Sequence, residues 1–261
     1  MNTTRFALII LMAMLFAGCC KIIGPECCPL AQRRGLEISD QALLTPDDEA
    51  FPPQGAKKFY KHATGNLAPV YSLLAEQIVE DYALAQKAGI GIDIGGGPGD
   101  LVMELAKRTG KMYWINADIN PHNFPYLYRR VTEAGLGHRV GAIFADALAM
   151  PFREDYADIV VSRGTFQFWS DQEAAFSEIY RVLKPGGVAY IGRGLPDAMP
   201  GEDAQALRKK HGSGPKYSVS DTEARLRKVM KACKIQDYRI HIHKDPEYPE
   251  VNYGIWLEIR K

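Results

Sequence analysis

The segment that most constrains this chain is Gly91-Ile-Asp-Ile-Gly95-Gly-Gly-Pro-Gly99-Asp100. Its first residues are apolar and strand-like. Its glycines allow a tight turn in which backbone approaches a ligand closely, and Asp100 opens a helix whose leading N–H groups are free to meet a negative group. The spacing is G-x-G-x-G. The dinucleotide form G-x-G-x-x-G would need glycine where Asp100 stands.

The rest of the chain repeats this strand–helix alternation. Val70, Leu73, Leu74, Ile78, Val79 and Tyr82 recur at helical spacing, predicting an amphipathic helix over 69–86. Strands are expected at 91–94, 112–117, 140–145, 159–162 and 188–191, and helices at 100–108, 121–134, 171–183 and 222–233. Two closing strands, near 238–242 and 253–259, have no helix between them and predict an antiparallel hairpin at the sheet edge. Alternation of this kind predicts a parallel sheet with helices on both faces. The 261 residues suffice for one such core with a small cap. The 193–220 stretch, with Arg193, Arg208, Lys209, Lys210, His211, Lys216 and Tyr217, is expected to be a loop over the substrate, hinged at Gly212 and Gly214.

Thirty-two basic and 31 acidic residues leave a net charge of +1, which gives no long-range field to recruit nucleic acid. The N-terminus differs from the rest. Residues 6–17 form an apolar run behind Arg5, with Ala17 and Gly18 after it, as in a signal peptide or membrane anchor over 1–18. A Cys/Pro-containing linker covers 19–56, with Cys19, Cys20, Cys27 and Cys28. That pairing lacks the C-x-x-C spacing of a zinc site. His241 and His243 lie two apart on a strand and are not expected to bind metal.

Two acidic residues follow later strands. Asp118 ends Tyr113-Trp-Ile-Asn-Ala117, at the distance from the glycine loop where a carboxylate accepts hydrogen bonds from a ribose diol. Asp146, in Phe144-Ala-Asp-Ala147, follows the third strand, where a carboxylate can accept from an adenine amine. Each has an ordinary alternative as a turn or helix-cap residue.

Together with Tyr156-Ala-Asp-Ile-Val-Val-Ser162 and Glu178-Ile-Tyr-Arg-Val-Leu-Lys-Pro-Gly-Gly187, these segments resemble the class I S-adenosylmethionine-dependent methyltransferases. The resemblance is strongest to the type 11 group of ubiquinone and menaquinone methyltransferases, over about 66–195. It implies a Rossmann-like, doubly wound, seven-stranded α/β sheet of order 3-2-1-4-5-7-6 with strand 7 antiparallel. A small N-terminal helical cap and a methyltransferase domain over 57–261 complete that picture. The cofactor implied is S-adenosyl-L-methionine. Asp93 is then expected to support the glycine loop and the methionine amino group, while Gly95, Gly97 and Gly99 line the methionine moiety. Asp118 takes the ribose, Ile119 packs on adenine, Asp146 and the Ala147 backbone read its edge, and Ser162 presents backbone near the sulfonium.

The implied function is in-line methyl transfer to a small-molecule or lipidic acceptor, with Arg163 and Trp169 as acceptor-pocket candidates and no evident general base. Alternatives are a membrane-tethered, non-catalytic binding protein on the same fold and a methyltransferase of a thiol-bound metalloid. Leu15-Phe-Ala-Gly-Cys19 also resembles a bacterial lipoprotein signal, which implies lipidation of Cys19. An uncleaved anchor and a misplaced start codon are the other readings. Lys21, Arg33 and Arg34 after the apolar run favour the cytoplasmic face of a membrane for the domain.

Overall fold

The computed structural model describes residues 53–210 and 217–261. The apolar run 6–17, Cys19, Cys20, Cys27, Cys28, His211, Gly212, Gly214 and Lys216 lie outside the described residues. Two helices lead in: α1 (Pro53–Thr64), which begins ahead of the boundary at 57, and α2 (Ala68–Asp81). Then follow β1 (Gly89–Ile94), α3 (Asp100–Arg108), β2 (Met112–Asp118), a 3-10 turn (Pro121–Asn123), α4 (Phe124–Glu133) and β3 (Val140–Phe144). The second half comprises β4 (Ala157–Arg163), a 3-10 turn (Phe166–Phe168), α5 (Gln172–Val182), β5 (Leu183–Gly194), α6 (Gly201–Lys210), α7 (Val219–Ala232), β6 (Tyr238–His241) and β7 (Gly254–Arg260).

The strands form one seven-stranded sheet in the order β3-β2-β1-β4-β5-β7-β6, as the resemblance implied. β1 through β5 run parallel, and β7 lies antiparallel between β5 and β6. The closing pair is thus the antiparallel hairpin expected at the sheet edge, with β7 against β5 and β6 outermost. The strand order reverses between β1 and β4, and in open α/β sheets ligands bind in the crevice outside the carboxyl ends at such a point.

Side-chain alternation along the strands divides the core into two layers. In β4, Ile159 and Val161 join Leu74, Ile78, Leu105, Trp114 and Leu127 beneath α2, α3 and α4. Val160 points the other way, to Phe176, Ile179, Leu226 and Met230 beneath α5 and α7. Both faces of β4 are covered, which is why its centre, Ile159–Val161, is a continuous apolar run. Each such fully buried aliphatic side chain contributes about 1.5–3 kcal/mol relative to exposure. Asp158 fastens β4 to its neighbours: its Oδ2 accepts from the Ile90 N–H at 2.9 Å and from Lys184 Nζ at 2.6 Å. Two motifs that carried the resemblance, Tyr156-Ala-Asp and Leu-Lys-Pro-Gly-Gly, thus meet in space.

Four local expectations change. The Lys184–Gly187 stretch belongs to β5 rather than preceding it, because a register shift between Ala157 and Ile159 lets Leu183 pair as well. The 121–134 helix begins as a 3-10 turn. Within 193–220, residues 201–210 form α6 rather than loop, and α6 packs Ala204 beside Val70, Leu195, Met199 and Tyr253 in a third apolar cluster. His243 lies beyond β6, its ring edge-on to Tyr253, while His241 ends β6 beside Tyr190.

Candidate functional site

The glycine loop runs from the end of β1 to the start of α3. Gly95 and Gly97 have φ of 64° and 55°, in the left-handed region that side chains disfavour. The turn is held from β2. Gly95 N–H donates to Ala117 O at 2.7 Å, and Asn116 Nδ2 donates to Gly97 O at 3.0 Å. Asp118 Oδ2 accepts from Gly97 N–H at 2.7 Å, and its Oδ1 accepts from Asn120 N–H at 2.7 Å. Asp118 therefore orders the loop through backbone donors and keeps its remaining lone pairs for a ligand. It is both the turn residue of the ordinary reading and a wall of the site.

Below the loop lies a cluster of buried carboxylates. Asp93 is 1 % exposed, and its Oδ2 has no hydrogen-bond partner. Burial pushes its carboxyl well above the ordinary range, and the Asp118 and Asp100 carboxylates push further. Burial also raises Asp118, opposed by the Asn120 and Gly97 amides. It raises Asp100 too, opposed by Arg130 at 3.0 Å. A buried carboxylate oxygen without a partner calls for an explanation, and a cationic ligand supplies one.

Two cavities open along the strand ends. The smaller, about 170 Å³, is lined by Phe59, Tyr71, Asp93, Gly97, Asn123 and Arg163, among others. The larger, about 460 Å³, has walls from Ile119, Ala147, Leu148 and Trp169, with Asp118 and Asp146 among its polar groups. Gly95, Asp118, Thr165 and Phe168 line both, so the two are lobes of one cleft. Phe168 is 78 % exposed, an apolar side chain left free at the divide. Asp146 Oδ1 accepts from Leu148 N–H at 3.0 Å, a turn contact. Trp169 lines the larger lobe while its ring packs edge-on against Phe176, so packing and lining coexist.

The structure thus gathers Asp93, Gly95, Gly97, Asp118, Ile119, Asp146, Ala147, Arg163 and Trp169 around one cleft. Two expected residues stand behind it. Gly99, at φ 85°, starts α3 and would drive a Cβ into Leu127, and it lines neither lobe. Ser162 is buried and its Oγ donates to Ile94 O at 2.8 Å, positioning the β1 end from behind the wall. Asp171 caps α5 by accepting from Ala174 N–H at 2.9 Å. Asn116 and Thr165 contribute beyond the sequence expectations, as do the lining residues Phe59, Asn123 and Leu148. Asn116 had a signal, a polar residue inside the apolar run Tyr-Trp-Ile-Asn-Ala. Thr165 had none.

Residues 92–191 match a family model described as a methyltransferase domain. A Thermus thermophilus demethylmenaquinone methyltransferase is 36 % identical over 107 residues, covering 41 % of this chain and 48 % of that one. A Vibrio vulnificus ubiquinone/menaquinone biosynthesis C-methyltransferase is 34 % identical over 97 residues, 37 % of each chain, so the match spans little more than a third of that relative. A Methanococcus maripaludis protein solved as an S-adenosyl-L-methionine-dependent methyltransferase superposes with a TM-score of 0.69 at 30 % identity, covering 80 % of this chain and 93 % of that one.

Proposed function

The chain belongs to the class I S-adenosylmethionine-dependent methyltransferases, and from that premise we propose that it moves a methyl group from S-adenosylmethionine to a small-molecule or lipidic acceptor. The supporting observation is the partnerless Asp93 Oδ2, buried in the smaller lobe beside two further carboxylates whose charged forms burial disfavours. A cation in that lobe satisfies the orphaned oxygen and relieves the repulsion. The residues present fit the cofactor: Asp93 and the Gly95–Gly97 backbone for the methionine end, Asp118 for the ribose, and Ile119, Asp146 and Ala147 for the adenine.

When bound, the cofactor supplies a methyl carbon already activated by a cationic sulfonium. The chain's own work is then geometric. Asp118 and Asn116 hold the loop, Ser162 and Thr165 hold the end of β1 against β4, and Arg163 and Tyr71 wall the smaller lobe. Fixing both partners in line removes much of the entropic part of the barrier. Titrating S-adenosylmethionine calorimetrically into the full chain tests the reading. Saturable binding is expected, and its absence in a folded sample would overturn it.

We further propose that the chain sits at a membrane surface through its N-terminus: the apolar run 6–17 acting as an uncleaved anchor would keep the domain on the cytoplasmic face, whereas a lipidated Cys19 would follow export of the domain. What supports this is the run itself and the Lys21, Arg33 and Arg34 charges after it. Fractionation of wild type and Cys19→Ser separates the two modes, since only lipidation needs the thiol.

A further inference from the structure

The methyl-transfer reading leaves the acceptor open, and the inference here rests on that reading. Three arginines gather where β4 and β5 end. Arg163 donates from Nε to Gly194 O at 3.1 Å and from Nη1 to the Tyr71 hydroxyl at 3.4 Å, with its guanidinium 5.0 Å over the Tyr71 ring. Arg193 is stacked 4.2 Å over Tyr217, whose hydroxyl donates to Arg193 O at 2.9 Å. Arg208, from α6, donates from Nε to Asn252 O at 2.9 Å, and its Nη2 is buried without a partner.

Among the described residues no carboxylate is paired with Arg163, Arg193 or Arg208; the arginine ion pairs are those of Arg108, Arg130, Arg181, Arg227 and Arg260, and Arg129, Arg139, Arg153, Arg225 and Arg239 likewise form none. Arg208 is near enough to feel both other cations. Burial lowers its hold on its proton, and the Arg163 and Arg193 charges lower it further against the opposing pull of Tyr217. Gathering cations on a half-buried rim costs energy unless an anion completes the arrangement. Each guanidinium is held by a carbonyl or a ring, which orients its fork and leaves N–H groups over. Oriented forks with spare donors suit a carboxylate or phosphate, which they bind with two N–H groups at once. Arg163 also lines the lobe next to the glycine loop, so the cluster adjoins the place where methyl transfer would occur.

We propose that the methyl acceptor carries an oxyanion, a carboxylate or a phosphate, and that Arg163, Arg193 and Arg208 receive it. The competing occupant is the cofactor's own carboxylate, and the experiment separates the two.

The full chain is saturated with S-adenosylhomocysteine and titrated with inorganic phosphate in one arm and acetate in another. Saturable binding of at least one oxyanion is expected, and the stronger arm names the group. Arg193→Gln and Arg208→Gln should each weaken it about tenfold, the loss expected for one charge-assisted contact. Arg208→Lys should restore part of that affinity, and S-adenosylhomocysteine affinity should stay within about twofold throughout, since the lost contacts are made to the oxyanion alone. Arg193→Gln keeps the test alive if Arg208→Gln does not fold. The proposal is overturned if neither oxyanion binds, if the Gln variants bind it as wild type does, or if they lose cofactor and oxyanion together. Failure of wild type to bind S-adenosylhomocysteine counts against the methyl-transfer reading instead, and the phosphate and acetate arms without it still decide the arginine site.

Discussion

The carboxyl ends of β1 and β2 carry Asp93, Asp118 and the glycine loop, while the ends of β4 and β5, across the strand-order reversal, carry Arg163 and Arg193, joined by Arg208 from α6. The first region is a buried cluster of carboxylates whose charge is disfavoured. The second is a half-buried cluster of guanidiniums, which stay charged at any ordinary pH. The two regions respond to their unfavourable fields differently. The carboxylates can take up protons until a cation arrives, whereas the arginines can only wait for an anion. One rim of one sheet thereby offers a cation site beside an anion site. That suits a reaction between a cationic methyl donor and a negatively charged acceptor.

Removing the Asp118 carboxylate should disturb the first region most. Asp118→Ala strands the Gly97 and Asn120 N–H groups as well as removing an acceptor for the ligand. Charge-assisted hydrogen bonds are worth about 1.5–3 kcal/mol each, so a loss of about 100-fold in S-adenosylmethionine affinity is expected by calorimetry. Phosphate binding at the arginines should hardly change. An Asp118→Ala chain that binds the cofactor within about threefold of wild type would break the assignment of this region, given those magnitudes.

A smaller effect comes from the loop backbone. Gly97→Ala forces a side chain into φ 55° and brings its Cβ to 2.7 Å from Phe59 Cε1. Gly135→Ala meets a similar φ of 66° with nothing within 4 Å. Both should cost about 1–2 kcal/mol of stability in thermal or urea unfolding, the usual cost of the left-handed region. Only Gly97→Ala should also weaken cofactor binding, by about tenfold for a misplaced cradle. Equal binding losses would mean that general destabilisation, not the cradle, sets affinity.

The two regions were also unequally legible. The carboxylate side is local: Asp93, the glycines, Asn116 and Asp118 all fall within 93–118, and a strand–loop–helix–strand unit dictates how they meet. Its helix, α3, begins and ends at the residues its pattern marks, Asp100 and Arg108. The arginine side is assembled from 163, 193, 208 and 252, brought together by the sheet register that pairs Arg163 with Gly192 and Gly194 with Gly254, and by α6, whose Arg208 reaches Asn252 O. No spacing rule connects such positions. α6 was missed because its buried stripe is narrow. Gly201 and Ala204 are its buried residues, so a helix rich in Glu, Asp, Lys and Arg reads as a loop. Gly99 was read as cofactor lining because its spacing matched, although its job is to admit Leu127.

The smallest expected signal is a slope with pH, and it distinguishes the two regions by mechanism. Asp93 holds its proton more tightly folded than unfolded, because burial and the neighbouring carboxylates raise its carboxyl well above the ordinary value. Its contribution to stability is therefore complete below the unfolded pKa of about 3.9 and is lost as pH rises through the folded one. Asp158, Glu104 and Glu258 are shifted downward by their cationic partners and act with the opposite sign, so the wild-type curve alone is ambiguous. The comparison that isolates Asp93 is wild type minus Asp93→Asn, followed by urea unfolding between acid and neutral pH. Wild type should lose stability relative to the variant as pH rises, and saturating cofactor should reduce that loss, because a bound cation favours the ionised carboxylate. Arg193→Gln should run parallel to wild type over the same range, since no arginine titrates there. Parallel curves for wild type and Asp93→Asn would mean that the orphaned oxygen is not a strained charge. The smaller lobe would then have no electrostatic reason to select a cation.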